Sequence, residues 1–345
     1  MRIERLTLAL TPSYEEYLFG KENSLFYYSS KYKNFMKKLL DCEEEYLLAI
    51  ERDRIRGILP LMYMEGGSFR VYNSLPYYGS NGGIIADNEE AYTALLRVYN
   101  NEISCDKATL SSTIITNPLN EQDSSGFIHN YIDYRISQIT SLSGERDDWK
   151  GLQSRIDSSA RRNIKKAVRE NISVEIDHSQ LNRLRKMHQE NIQAMSGLPK
   201  SDEFFTLIPQ HFSPNKDFDL YVAKKDGVII AGLLVFYFNQ TIEYFTPAID
   251  NRYRSYQPLS LIIITAMTEA ARRGFKWWNW GGTWESQVGV YRFKRKWGAD
   301  DRKYFYYTQL NDLSILTWPK EKILSTFPNF FIVPFAALQE EGKGS

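Results

Sequence analysis

The chain has 345 residues, 43% of them hydrophobic and 25% charged, and 43 Lys and Arg against 42 Asp and Glu leave a formal net charge of +1. That length fits two domains and the composition a soluble globular protein, while the charge balance excludes a globally basic nucleic-acid coat or an acidic tail protein, so no DNA partner is expected. Tyr, Phe and Trp make up 14% of the residues, which reads mainly as core, with some rings walling a site for a large amphiphilic ligand.

At the N-terminus, Arg2, Glu4 and Arg5 precede a short apolar stretch, 6–10, that Thr11 and Pro12 break. No secretory signal is expected from this stretch. The longest apolar runs, 259–267 and 330–338, fall short of the roughly 20 residues of a membrane span. A cytoplasmic protein is expected, with Cys42 and Cys105 as reduced, buried thiols, because two cysteines make neither a disulfide framework nor a four-ligand zinc site.

Residues 46–64 read as a β-hairpin, an apolar run, a charged turn, then Gly57 and a second apolar run. An aromatic strand at 68–73, a turn region at 76–83, a helix at 89–100 and a strand at 107–111 follow. Residues 148–171 place Arg155, Arg161, Arg162, Lys165, Lys166 and Arg169 among apolar residues at helical spacing, predicting one amphipathic helix with a cationic outer face, capped by Ser158 or Ser159. A solvated linker helix is the plain alternative. A helix at 181–195 ends at Gly197-Leu198-Pro199, and Phe204 and Phe205 lie on the next short helix.

The pattern then returns. Residues 220–238 form a second hairpin in which Ala223 matches Ala49 and Gly232 matches Gly57 after a one-residue shift. A strand at 241–246, a turn region at 251–257, a helix at 259–273 bracketed by Pro258 and Gly274, and a strand at 276–280 repeat the first series. The expected fold class is α/β (α+β), two tandem units, each a mixed, mostly antiparallel sheet flanked by helices. The boundaries expected are 1–145, with 311–345 packing back on it, and 146–310.

Nucleotide-cradling loops, dinucleotide fingerprints, nucleophile elbows and paired metal-binding histidines are absent from the sequence. His129, His178, His188 and His211 are scattered, so no metal is expected. The chemistry concentrates in 274–307: a strand of alternating aromatics, a turn at Gly281-Gly282-Thr283, a second glycine at Gly289, the cationic run 292–296, and a closing strand at 304–307. Glycines beside a strand end let backbone approach a ligand. Arg292 and Lys294 interleaved with Tyr291, Phe293 and Trp297 read as an anion site with stacking surfaces, suited to phosphates on a nucleotide, a coenzyme or an RNA end.

The run 289–299, GVYRFKRKWGA, with Gly281-Gly282, the cationic helix 158–171 and the duplicated unit, resembles the FemAB-like branch of the GNAT acyltransferase superfamily. The first-half run 72–79, which contains Tyr78, with Gly82-Gly83 behind it, is similar to that family's N-terminal half, and the likeness spans roughly 24–310. The resemblance implies two tandem GNAT folds and acyl or aminoacyl transfer to an amine. It places Lys294 on the motif lysine beside the catalytic site, as a catalytic residue that stabilises the oxyanion or orients donor phosphate, Glu243 where such enzymes often carry a carboxylate base, and Arg161, Arg162 and Lys165 on a phosphate-contacting helix. The loop that cradles coenzyme pyrophosphate in GNAT enzymes falls on Arg254-Ser255-Tyr256-Gln257-Pro258, which lacks the usual glycine.

The reading that leads from the sequence is an N-acyltransferase moving an acyl group from acyl-CoA to a primary amine on a small or lipid-linked cell-envelope precursor. The alternatives are an aminoacyl-tRNA-dependent ligase acting on a peptidoglycan precursor and a catalytically inactive ligand-binding module. The apolar C-terminal segment, with Trp318, Phe327, Phe330, Phe331, Ile332 and Phe335, is expected either to pack on the first domain or to touch a membrane.

Overall fold

The computed structural model describes the chain apart from residues 78–80, 121–125, 143–148, 285–286, 335–336 and 339–345 and the side chains at 149, 150 and 153. The chain divides into two compact units, Met1–Arg135 with Lys303–Ser345, and Ile136–Arg302. These divisions fall at 135/136 and 302/303, inside two strands, rather than at 145/146 and 310/311.

The first unit runs β1 (Arg2–Arg5), α1 (Thr11–Phe19), α2 (Ser30–Leu40), β2 (Glu43–Glu44), β3 (Leu47–Glu51), β4 (Arg54–Leu59), β5 (Met62–Gly66), β6 (Phe69–Asn73), β7 (Ile85–Ala86), α3 (Glu89–Val98) and β8 (Thr109–Ile115). β1, β3, β4 and β7 form one antiparallel sheet. β8 runs parallel to β6, which pairs antiparallel with β5, and β5 with β2. The second apolar run of the hairpin expected over 46–64 is therefore interrupted: Pro60, with no N–H for a ladder, ends β4, and β5 joins the other sheet. Asn88 caps α3, its side chain accepting from Ala91 N, and the helix buries Ala91, Tyr92 and Leu95 against Leu47, Leu59 and Ile114. Cys42 is buried, but Cys105 is exposed, at the end of the π-helical turn Tyr99–Ser104.

The second unit begins within β9 (Tyr131–Ser141) and continues α4 (Trp149–Arg155), α5 (Ser158–Arg169), β10 (Ser173–Ile176), α6 (Leu181–Gln193), α7 (Asp202–His211), β11 (Phe218–Lys225), β12 (Val228–Phe238), β13 (Thr241–Ile249), α8 (Pro258–Arg272), β14 (Trp277–Thr283) and α9 (Val288–Arg295). Its strand order is β10-β11-β12-β13-β14-β9, antiparallel except for β13 with β14. The cationic helix is two helices: Asp157, not Ser158 or Ser159, is the N-cap of α5, its carboxylate accepting from Ser159 N. One sheet face packs Ala160, Ile164 and Ala167 of α5 and Ile263, Met267 and Ala270 of α8 against Tyr221, Leu233, Val235 and Trp278.

The two hairpins are built alike. Each has a two-residue loop with both residues at positive φ, Arg52-Asp53 and Asp226-Gly227, and each has a register shift directly after the matched alanine, Ala49 or Ala223. In each unit a helix then connects two parallel strands, α3 between β6 and β8, α8 between β13 and β14. Duplication therefore reaches the turn geometry.

The chain closes with β15 (Asp300–Leu310), whose Tyr306–Leu310 pair with β8, and α10 (Lys320–Thr326). Phe327, Phe330 and Ile332 are buried, and Asn73 clamps Phe331 by accepting from its N and donating to its O, both at 2.7 Å. Trp318 and Phe331 are half-buried, and Leu313 and Leu324 of the same segment are exposed; Phe335 lies outside the described residues. Among the described residues no helix is long and apolar enough to cross a membrane.

Candidate active site

β14 continues through Gly281, Gly282 and Thr283, where the sequence suggested a turn. Glycine pairs serve turns and bulges alike, and here one extra residue between Asn279 and Gly282 bulges the strand against β9. Gly281 sits at φ 72, a left-handed conformation that a Cβ disfavours, and its N donates to Asn279 Oδ1 at 2.9 Å.

Lys294 reaches the bulge from α9. Its side chain is in a residue only 5% exposed, and Nζ donates to Gly281 O at 3.0 Å, Gly282 O at 3.1 Å and Thr283 Oγ1 at 2.7 Å. An ammonium has three protons, and all three are used inside the protein. Lys294 thus shapes the bulge and leaves no proton for a ligand. Burial pushes it down to about 7, while the three oxygens favour the charged form. The chain of bonds continues: the Thr283 hydroxyl donates to Gln138 Oε1 at 3.4 Å, Gln138 Nε2 donates to Tyr291 O and Asp301 Oδ1 at 3.3 Å each, and the Tyr291 hydroxyl donates to Asp301 Oδ2 at 2.6 Å.

Beside the bulge lies a buried carboxylate. β13 and β14 pair only over Thr241–Glu243 against Trp277–Asn279, and at the last rung Asn279 Nδ2 donates to Glu243 Oε2 at 2.8 Å. Asn279 Oδ1 also accepts from Ser137 Oγ at 3.3 Å. Glu243, Asn279 and Ser137 are all buried, so a proton acceptor is held in a fixed polar network next to a glycine-walled strand end. The sequence reading missed Asn279, Ser137 and Gln138. Only Asn279 left a trace, as the one polar residue in the run 277–280, set by strand alternation opposite Trp278 and Trp280.

The other expected site residues disperse. Phe293 and Trp297 pack with Trp280 at centroid distances of 6.1 Å each, so they build the core under α9 rather than stack on a ligand. The turn that follows α9 explains this: Trp297 N donates to Lys294 O at 3.0 Å, which folds Trp297 back under the helix beside Phe293. Gly289 and Arg292 are exposed, as are Arg162, Lys165 and Arg254, while Arg161 donates to Ile156 O at 2.8 Å. Tyr78 lies outside the described residues. The expected pyrophosphate loop is a 3-10 turn, Asn251–Tyr256, followed by Gln257 at φ 62 and Pro258 at the start of α8.

A residue not anticipated is Lys200. Its N donates to the buried His188 Nε2 at 3.2 Å, and its Nζ stands 5.3 and 5.7 Å from the centroids of Phe245 and Phe204. Burial pushes Lys200 down to about 8, and burial together with that charge pushes His188 to about 4. Among the described residues no three His, Cys, Asp or Glu side chains gather as metal ligands would.

Residues 175–304 match the model of the FemAB family. The fold is that of FemX, whose crystal structure superposes with a TM-score of 0.72 at 15% identity, over 88% of this chain and 97% of that one. A conserved protein of unknown function from Bacteroides thetaiotaomicron matches with a TM-score of 0.55 at 11% identity, over 89% and 99% of the two chains. The C-terminal domain of a putative lysylphosphatidylglycerol synthetase from Agrobacterium fabrum matches with a TM-score of 0.53 at 11% identity, over 91% and 95%. No curated protein matches the chain.

Proposed function

We propose that the chain, whose residues 175–304 match the FemAB family model and whose fold is that of FemX, is a transferase that moves an aminoacyl group from aminoacyl-tRNA to an amine of a peptidoglycan precursor on the cytoplasmic side of the membrane. This reverses the order of donors that the sequence suggested. The observation that carries it is the outer face of α5, where Arg162, Lys165, Lys166 and Arg169 form no ion pair with a described residue and offer a polyanionic donor a row of contacts. The turn before α8 supports the same choice: in the loop that the resemblance assigns to coenzyme pyrophosphate, Gln257 N already donates to Arg254 O and Pro258 has no N–H to offer. Among the neighbours in fold, the putative lysylphosphatidylglycerol synthetase bears a name that joins an amino acid to a lipid, which agrees with a lipid-linked acceptor.

In the reaction, the acceptor amine attacks the ester carbonyl, the new C–N bond forms, the C–O bond to the terminal ribose breaks, and the ribose hydroxyl leaves with a proton. Glu243 takes the proton of the attacking amine and passes it to the departing ribose oxygen, and Lys294 keeps the strand end in the geometry that receives the carbonyl. The test is transfer of a radiolabelled amino acid from charged tRNA to a nucleotide- or lipid-linked muropeptide. Label in the muropeptide is the expected result; its absence, with every amino acid tried, overturns the proposal.

A further inference from the structure

Trp284 follows Thr283 directly, one residue beyond the bulge. It is 44% exposed, whereas Trp278, Trp280 and Trp297 are buried. Gln287 fixes its backbone to the first turn of α9, with Gln287 N donating to Trp284 O at 2.9 Å and Trp284 N donating to Gln287 Oε1 at 3.4 Å. Val288, on that turn, is also exposed.

Exposed cations follow this indole along α9 and α5. Arg292 and Lys296 lie on and just after α9, and Lys296 O accepts from Asp157 N at 2.8 Å, which joins the end of α9 to the N-cap of α5. Arg162, Lys165, Lys166 and Arg169 continue along α5, and Arg254 stands on the neighbouring turn that α5 packs against. None of these seven side chains forms an ion pair with a described residue. Four cations over two turns of helix, joined end to end with two more, make a track for a phosphate backbone.

The track has a polarity that the chemistry of the donor explains. In aminoacyl-tRNA the ester sits on the ribose of the last nucleotide, so a carbonyl held at the bulge keeps that nucleotide's base within one nucleotide's length of it, and the phosphates lead off from there. We propose that Trp284 is the stacking platform for the 3′-terminal base of the aminoacyl-tRNA, and that the cations of α9 and α5 carry the phosphates that follow. This inference rests on the aminoacyl-tRNA reading of the donor and adds to it the orientation of the RNA. Stacking suits the position because it engages the face of a base and asks nothing of its hydrogen-bonding edge.

The probe is a short RNA hairpin with a single-stranded 3′ end whose terminal base is 2-aminopurine, titrated with the full chain. Stacking on Trp284 quenches the fluorophore. Trp284→Ala is expected to lose the quench and to bind about 5- to 150-fold more weakly, the range that one base–aromatic stack supplies. Trp284→Phe retains a ring and is expected to keep most of both, and circular dichroism of each variant checks the fold. Equal quenching in wild type and Trp284→Ala overturns the platform while leaving the donor reading intact. Failure of the wild-type chain to bind the hairpin overturns the donor reading, and the platform with it.

Discussion

A Lys294→Met variant removes a buried ammonium and keeps an unbranched stem to fill its place. Three oxygens, Gly281 O, Gly282 O and Thr283 Oγ1, lose their donor. At about 1–3 kcal/mol for each buried group left unsatisfied, the loss is on the order of 3–9 kcal/mol. Against it stands relief from burying the charge: lowering the lysine from 10.5 to about 7 corresponds to about 5 kcal/mol at 1.36 kcal/mol per pH unit. The two nearly cancel, leaving about 1 kcal/mol near the middle of the range, or about 2–4 °C in Tm for a domain of this size. Catalysis is affected otherwise, because the bulge loses its brace. A displacement of about 1 Å at a reacting centre costs about 100-fold, so kcat should fall by about that factor, with KM changed by no more than about threefold because Nζ already donates to three oxygens of the protein.

The pH dependence gives the same reasoning a sign. Below about pH 7 the native wild type holds the ammonium and carries its full burial cost. Between about 7 and 10.5 the native state has released a proton that the unfolded chain still binds, so wild-type stability rises relative to the methionine variant, by up to about 1.4 kcal/mol per pH unit. Thermal melts of both proteins from pH 6 to 9, with steady-state kinetics at each pH, measure this. A Tm difference that shifts against the wild type as pH rises would refute the burial argument, and a raised KM with unchanged kcat would put the ammonium on the substrate.

Glu243→Gln keeps the oxygen that accepts from Asn279 Nδ2, so Tm should hold while kcat falls about 10²- to 10⁴-fold; an unaltered kcat removes Glu243 from proton transfer. In Gly281→Ala the added Cβ meets nothing within 4 Å, so its effect is purely conformational, about 1–2 kcal/mol for a left-handed residue, read as a Tm lowered by about 2–8 °C. An unchanged Tm would mean that the bulge relaxes without the left-handed residue. Lys165→Gln with Lys166→Gln should reduce the slope of log affinity for tRNA against log salt by about 1.4–1.8, and equal slopes would detach α5 from the RNA.

How far the sequence foretold the molecule can be followed residue by residue. The hairpins were legible because a charged two-residue loop between apolar runs has few other folds, and the matching of Ala49 with Ala223 survives as a shared register shift. Gly281-Gly282 was legible as a special backbone position but not as a bulge, since glycine signals left-handed or close-packed backbone without saying which partner strand waits beside it. Phe293 and Trp297 misled because a cationic run read as a linear string interleaves charge and aromatics, whereas the fold turns Phe293 and Trp297 inward onto Trp280 and leaves Arg292, Arg295 and Lys296 exposed. Asn279, Ser137 and Gln138 are single polar residues in strands, and what gives them meaning is a neighbour from a distant strand, which no local pattern carries. Lys294 was legible as a site residue, but not its partners: a resemblance can place a lysine beside a site, and only three-dimensional distances show that Nζ donates to Gly281 O, Gly282 O and Thr283 Oγ1.

The identity of the donor bears most directly on the whole account. One preparation of the full chain, offered a panel of acyl-CoA thioesters and a panel of charged tRNAs with the same amine-bearing precursor, is followed by thiol release in one arm and by loss of charged tRNA in the other. The account predicts turnover of charged tRNA that requires the precursor, with no thiol release above background; precursor-dependent thiol release with charged tRNA left intact would contradict it.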